Sequence, residues 1–237
     1  MAFETRPGAL GATTQVHAID EGLRQYMLRI YNYMSSGLAL TGLVAWVTAN
    51  TPALYNAIYG TPLMWVVMLA PLGFVFFLSA RLHKMSFSAA QTTFWLFAAV
   101  MGLSMAYIFL AFTGASVARV FFITAGTFAG MSLYGYTTKK DLSGWGSFLF
   151  MGLIGIIIAS VVNMFMASSA LHFAISVIGV IVFVGLTAYD TQNIKHMYQE
   201  MDDAETMGKK SIMGALKLYL DFINLFVMLL HLLGDRR

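Results

Sequence analysis

The sequence predicts an all-α integral membrane protein, folded as a bundle of seven membrane-spanning helices with the last helix central. Of its 237 residues, 59% are hydrophobic and only 11% are charged. Soluble domains carry about 25% charged residues, so this chain lacks the polar side chains needed to cover a water-facing surface. It also contains seven apolar stretches close to the roughly 20 residues that a helix needs to cross a bilayer core.

Six of these stretches carry no Asp, Glu, Lys or Arg, and each is near the length of one spanning helix. They cover residues 33–49, 63–80, 94–112, 120–136, 148–167 and 171–189. The seventh, at about 212–233, contains Lys217 and Asp221. Lipid would not tolerate these charges, so we expect the other helices to surround this one.

The first 22 residues are polar and contain no apolar core, so they are not expected to form a secretory signal. We predict a cytoplasmic N-terminal tail over 1–22 and a single transmembrane domain over 23–237. The fourteen Lys and Arg residues fall in alternate connections, and all except Arg119, Arg236 and Arg237 lie on the side of the N-terminus. Short cytoplasmic loops retain positive residues, which places the N-terminus in the cytoplasm.

The C-terminus does not follow this pattern, because a seventh full crossing would export Arg236 and Arg237. A re-entrant last segment is the alternative, but late charge signals often lose to earlier helices, so we predict a full crossing. Gly126 and Gly130 have the GxxxG spacing, which predicts a close helix contact.

Three charged residues are expected toward the cytoplasmic half of the bundle. Arg81 ends the second predicted helix, Asp190 ends the sixth, and Asp221 lies early in the seventh. Asn193 and Asn224 each follow an aspartate by three residues and lie on the same helical face as that aspartate. Their side-chain amides would either polarise the site or only satisfy the hydrogen-bonding groups of the aspartates.

Two carboxylates in a poorly solvated site cannot both stay ionised at low cost, so the Asp190 and Asp221 pair is predicted to titrate as a unit and sense pH. Arg81 would supply a bidentate partner that latches a closed state. Calcium prefers oxygen ligands, and two carboxylates with carbonyls would bind it weakly, as conduction requires.

Structural interpretations of the same residues stay open. Asp221 would instead form an ion pair with Lys217 on its own helix, Asp190 would be solvated at a helix end, and Arg81 would only orient its helix.

No catalytic residues, metal cofactor or nucleic-acid partner are expected. The five His residues are scattered without metal-ligand spacing, and Cys is absent. The chain contains no phosphate-binding glycine loop, HExxH or GxSxG motif. Its dispersed basic residues do not form the patch that a nucleic acid requires.

Four segments resemble the bacterial branch of the transmembrane Bax inhibitor motif family. They are YNYMSSGLALTGLVAW at 31–46, FAGMSLYGYTTKKDLSGWGSFLFMGLIGIIIASVVNMF at 128–165, GLTAYDTQNIKHMY at 185–198 and LYLDFINLFVMLLHLLG at 218–234. The resemblance implies seven helices with the last central, a bacterial inner membrane location, and a pH-sensitive calcium leak.

The same resemblance implies roles for particular residues. The AYDTQ motif gives Asp190 and the LYLDFIN motif gives Asp221 as the aspartate pair of the gate, while Arg81 matches the arginine latch by position. The loop 199–211, with Asp202, Asp203 and Glu205, is long for some members of the family.

Three other functions are considered. The family resemblance also suggests a membrane partner of a membrane-bound quality-control protease or a role in stress responses, which would depend on residues 1–22 and the loops. An intramembrane aspartyl protease fits Tyr189-Asp190, but Asp221 follows Leu218-Tyr219-Leu220 and not Gly-x-Gly. A transporter would need paired helix interruptions, and only Pro71 offers one.

Overall fold

The computed structural model describes residues 8–237, with side chains described from residue 21 onward. Arg6, His17 and most of the predicted tail therefore lie outside the described side chains. Nine α-helices account for most of this part of the chain: α1 (Gly8–Asn50), α2 (Pro52–Tyr59), α3 (Leu63–Arg81), α4 (Phe87–Met105), α5 (Ile108–Ala111), α6 (Gly114–Thr137), α7 (Ser143–Met166), α8 (Ser169–His196) and α9 (Ala204–Leu233).

Each of the seven predicted stretches lies within a helix, except that 94–112 is divided between α4 and the single turn of α5. In the described residues, six spans are long and apolar enough to cross a membrane: α3, α4 with α5, α6, α7, α8 and α9. The part of α1 from Glu21 onward meets this criterion of length and apolar character only when α2 is counted with it, and the chain bends by 97° between the two helices. The all-α membrane bundle is confirmed.

α9 is the central helix, as predicted. It packs against α1, α4, α6 and α8, whereas α3 packs mainly on α4 and α7 on α8. The most apolar window of α9 is 56% buried by protein, compared with 11% for α7. The peripheral helices therefore face lipid, and the charged residues of α9 are shielded by its neighbours.

α9 begins at Ala204, well before the apolar stretch at 212, so the predicted loop 199–211 is mostly helix. Asp203 caps the helix, because its carboxylate accepts a hydrogen bond from the Thr206 backbone N–H at 2.8 Å. Lys210 reinforces the same turn by pairing with Asp202 at 2.6 Å. Hydropathy detects only the apolar part of a helix, so the predicted start of the last helix, at about residue 212, was too late.

The hydrogen bonds from Thr206 hold the pKa of Asp203 below its ordinary value of 3.8. Because the folded pKa is lowered, the cap contributes fully at neutral pH and is lost only as the pH falls through that lower pKa. Asp141, in the connection between α6 and α7, behaves alike, since hydrogen bonds from Ser143 lower its pKa.

The two ends of the bundle are defined by contacts between connections. At one end, Lys209 of α9 donates to the backbone oxygen of Met85, and Gln192 of α8 donates to that of Lys140. At the other end, Arg119 pairs with Asp235 at 2.9 Å. The connections after α3, α6 and α8 thus share one end, and α9 carries the C-terminus to the opposite end.

The predicted GxxxG contact is wrong within the described fold. A Cβ atom built on Gly126 or Gly130 meets nothing within 4 Å. The close approach of α6 occurs at Gly135 instead, where an added Cβ would collide with the backbone oxygen of Ala188 on α8. Spacing along one helix does not reveal which of its faces meets a neighbour.

Candidate functional site

The site is formed where α8 and α9 pack against each other, near the end that holds their connection. Asp190 lies in the last two turns of α8, and Asp221 lies just past the middle of α9. The structure brings the two carboxyl groups within interaction range of each other. They differ in access to solvent, because the residue Asp221 is 5% exposed and the Asp190 side chain is 15% exposed.

Lys217 is the cation at this site. Its Nζ atom lies 3.6 Å from Oδ1 of Asp190, so the ion pair joins α9 to α8. The alternative pairing of Lys217 with Asp221 along one helix is not the one that forms in the described residues. Lys217 still lies close enough to act electrostatically on Asp221. Two carboxyl groups thus share a single lysine.

The Oδ2 atom of Asp221 is buried and has no hydrogen-bond partner among the described residues. Buried polar atoms are nearly always hydrogen-bonded, because leaving one unpaired costs about 1 to 3 kcal/mol. An unpaired carboxyl oxygen inside a membrane bundle makes Asp221 a candidate functional residue.

The two asparagines do not complete the cluster. Nδ2 of Asn224 donates to the backbone oxygen of Leu220, one turn back in α9, at 2.8 Å. In the part of the chain that the structure describes, neither Asn193 nor Asn224 donates a side-chain hydrogen bond to Asp190 or Asp221. Their supporting role stays a prediction.

Arg81 is not brought to the aspartates. It is exposed at the end of α3, and α3 packs on α4 and not on α8. Among the described residues it forms no ion pair, and Lys217 holds the position facing Asp190. The latch role of Arg81 therefore stays a prediction, and in the conformation described here Lys217 ties α9 to Asp190 in its place.

A chain of hydroxyl groups ends at Thr191, the residue after Asp190, and the sequence did not predict it. Tyr31 of α1 hydrogen bonds to Ser132 of α6 at 2.6 Å, and Ser132 bonds to Thr191 of α8 at 2.9 Å. Thr191 directly follows Asp190 and is fully buried. The only sequence signal was Thr187 and Thr191 at i, i+4, which places both hydroxyls on one face.

The carboxylates offer at most a weak, transient place for a metal ion. No group of three or more His, Cys, Asp or Glu residues capable of holding a metal occurs among the described residues. Calcium usually takes six to eight oxygen ligands, so two carboxyl groups do not make a tight site. A calcium ion passing this point would be cargo and not a resident cofactor.

Two of the scattered histidines lie together at the opposite end of α8 and α9. The rings of His172 and His231 have centroids 4.6 Å apart, and Nε2 of His172 is buried without a hydrogen-bond partner. These residues are far apart in sequence, and only the antiparallel packing of α8 on α9 joins them.

These features define the class of the protein as a multi-pass α-helical membrane protein with an acidic pair against its central helix. The sequence profile of the family described as "Inhibitor of apoptosis-promoting Bax1" matches residues 23–237. The chain therefore belongs to this Bax inhibitor motif family.

Bacterial relatives align over most of their own length. Inner membrane protein YbhL of Escherichia coli strain K12 is 50% identical over 219 residues, which are 91% of this chain and 94% of that protein. An uncharacterised protein of Rickettsia prowazekii is 48% identical over 228 residues, 96% of this chain and 97% of its own length. An uncharacterised membrane protein of Streptococcus pyogenes serotype M3 is 33% identical over 227 residues, 91% and 94% of the two chains. The relatives and the apolar helices together place this chain in the inner membrane.

Proposed function

We propose that this protein is a pH-sensitive cation leak channel that passes calcium, with Asp190 and Asp221 as its gate. The observation that carries the proposal is the charge balance at the pair: Lys217 pairs with Asp190, and one carboxyl oxygen of Asp221 is buried without a hydrogen-bond partner among the described residues. Burying an uncompensated negative charge is expensive, so the pair is expected to hold a proton that it exchanges as a unit.

The conformation described here is assigned to the closed state. Around Asp221, the central helix is packed with apolar side chains, and Leu218, Tyr219 and Leu225 are fully buried. A cation crossing the bundle needs water or oxygen ligands in place of these contacts. Opening therefore requires α9 to move relative to its neighbours.

The ion pair between Lys217 and Asp190 supports a gate at the contact of α8 with α9. It ties the two helices together, and any change in the charge of the pair changes the strength of that tie. Asp190 is the more exposed of the two acids, so a proton or cation reaches it first and Asp221 second.

Other parts of the proposal follow from the distribution of charge. Since the basic residues concentrate at the end that holds the connections after α3, α6 and α8, that end and the N-terminus are assigned to the cytoplasm. We propose no enzymatic activity and no resident cofactor; the described residues contain no group of three or more His, Cys, Asp or Glu that could hold a metal.

Calcium flux into liposomes that contain the purified protein and a trapped calcium dye tests the gate. The measurement covers about pH 6 to pH 8, the range over which the pair is proposed to exchange its proton. Wild type is compared with Asp190→Asn and Asp221→Asn. Asp235→Asn is the matched control, because Asp235 is an exposed aspartate paired with Arg119 at the opposite end of the bundle.

We expect wild-type flux to change several-fold across this range, and either gate variant to lose most of that change, while Asp235→Asn retains it. Flux no greater than that of empty liposomes contradicts the proposal and favours a membrane partner without ion conduction. If both gate variants conduct calcium with unchanged pH dependence, the protein is still a leak channel, but the aspartate pair is not its pH sensor.

A further inference from the structure

A long groove runs along the side of the bundle between α1 and α6. Both helices pack against α9, and within the described residues they also meet through the hydrogen bond of Tyr31 with Ser132, both of which line the groove. Phe222 of α9 lies at the bottom of the gap. The larger part of the groove has a volume of about 700 Å³, and a second cavity of about 370 Å³ continues it past Leu38 and Ala39. Binding sites for small molecules typically measure about 300 to 1,000 Å³.

The walls of the groove are apolar and open toward the bilayer. Met27, Met34, Leu38 and Phe128 line its depth. Leu28 and Leu133, on opposite walls, are 48% and 63% exposed. Because these helices cross the membrane, lipid tails surround this opening, and an acyl chain is the molecule best matched to it.

Among the described residues that line the groove, Arg24 is the only charged one, and it lies at the end toward the connection between α8 and α9. Lys195 does not line the groove, but it donates to the backbone oxygen of Tyr136 and lies 5.0 Å over the ring of Tyr136, which lines the same end. Arg24 contacts Glu21 at 3.3 Å, but both side chains are more than half exposed, and such pairs are weak. A phosphate group can replace Glu21 as the partner of Arg24.

The length of the groove fits one leaflet. Arg24 and Ala39 are separated along α1 by about 22 Å at the helical rise of about 1.5 Å per residue. Half of a bilayer, with its headgroup layer, is about 20 Å thick. A lipid whose phosphate lies at Arg24 would therefore place the end of its acyl chain near Ala39.

We propose that the groove between α1 and α6 is a binding site for one anionic phospholipid, with its headgroup at Arg24 and an acyl chain along Phe128 and Leu38. The site does not depend on the proposed channel function. Basic pockets between membrane helices are known to hold acidic headgroups, and the apolar groove adds a place for the chain.

Native mass spectrometry of the purified protein tests the site, with phosphatidylglycerol and phosphatidylcholine of identical chains titrated in detergent. Arg24→Gln removes the headgroup charge, and Arg29→Gln is its matched control, because Arg29 is exposed on α1 and does not line this groove. Ala129→Trp fills the groove, and Ala80→Trp is its control on the exposed surface of α3.

We expect wild type to bind phosphatidylglycerol more tightly than phosphatidylcholine. Arg24→Gln should weaken phosphatidylglycerol binding roughly fivefold, as one basic residue near an anionic headgroup does, and leave phosphatidylcholine unchanged. Ala129→Trp should weaken both lipids, and neither control should change. Thermal unfolding of each variant checks that it is folded. If Ala129→Trp does not fold, Arg24→Gln still tests the site.

Equal binding of phosphatidylglycerol by wild type and by folded Ala129→Trp would overturn the proposal. So would equal losses in Arg24→Gln and Arg29→Gln, which would indicate only general surface charge. If Ala129→Trp removes a dimer seen in the wild-type spectra, the groove holds a second copy of the chain and not a lipid.

Discussion

Asp221 occupies the position in this protein where a charge is hardest to solvate. It lies on the central helix, is 5% exposed, and has one oxygen without a hydrogen-bond partner. The nearest cation, Lys217, lies one turn away but reaches across to Asp190. A replacement of Asp221 by an apolar residue would remove this cost, so its presence is better explained by function than by stability.

Lys217 is expected to set the pH at which the pair responds. Its positive charge favours the ionised form of the carboxyl groups, so Lys217→Gln should let them take up protons more readily. The midpoint of the flux response should then move to higher pH, by about 1 pH unit. Calcium flux in liposomes, measured at closely spaced pH values, checks this shift.

Lys209→Gln is the matched control for Lys217→Gln, because Lys209 lies on the same helix and pairs with Glu205 at 3.2 Å, away from the acidic pair. The midpoint of the pH response of calcium flux in Lys209→Gln should stay at the wild-type value. Asp203 and Asp141 do not contribute to the response, since their pKa values lie below 3.8 and both stay ionised near neutral pH. An unchanged midpoint in Lys217→Gln would contradict the electrostatic role of Lys217.

At the scale of the helices, the contact between α6 and α8 limits how the bundle can move. Gly135 brings α6 directly against the backbone of α8 at Ala188, two residues before Asp190. The chain of hydroxyl groups from Tyr31 through Ser132 to Thr191 crosses the same contact. The segment of α8 that carries Asp190 is thus fixed by α6 on one side and by Lys217 of α9 on the other.

Gly135→Ala should destabilise the protein by about 1 to 3 kcal/mol, because the new methyl group meets backbone that cannot rotate away. Gly130→Ala, on the same helix, is the control. Its methyl group meets open space, and its higher helix propensity should leave stability unchanged or raised by up to about 1 kcal/mol. Unfolding in detergent measures both, and equal stability of the two variants would show that this contact is loose.

At the scale of the whole molecule, the bundle has one basic end and one end that holds the C-terminus. Besides the ion pair of Arg119 with Asp235, the backbone N–H of Arg237 donates to the oxygen of Ala111 at 3.0 Å. These contacts favour a full crossing by α9 over a re-entrant segment. The assignment of each end to a side of the membrane follows from the positive charges and can be measured directly.

The chain contains no cysteine, so single cysteines can report the orientation without background. Thr61→Cys lies in the connection between α2 and α3, and Glu200→Cys lies in the connection between α8 and α9; both positions are exposed. In spheroplasts, a membrane-impermeant maleimide should label Thr61→Cys and not Glu200→Cys. Labelling of Glu200→Cys alone would invert the proposed topology, and labelling in lysed cells confirms that both sites react.

Much of the fold was predictable because the bilayer imposes simple conditions on sequence. The requirement for long apolar stretches located the helices, and the cost of charge in lipid placed the segment with Lys217 and Asp221 at the centre. The bend of 97° between α1 and α2 and the early start of α9 were not predictable in this way. They depend on local caps and turns that hydropathy does not detect.

The sequence by itself determined the fold class, the central position of α9, and the two aspartates as the residues to test, since each follows from the cost of exposing polar groups to lipid. Only the tertiary structure decided which side chains meet. It paired Lys217 with Asp190 and not with Asp221, left Arg81 apart, moved the close helix contact to Gly135, and opened the groove between α1 and α6. These outcomes depend on the rotation and spacing of each helix against its neighbours, which packing sets and the pattern along one helix does not specify.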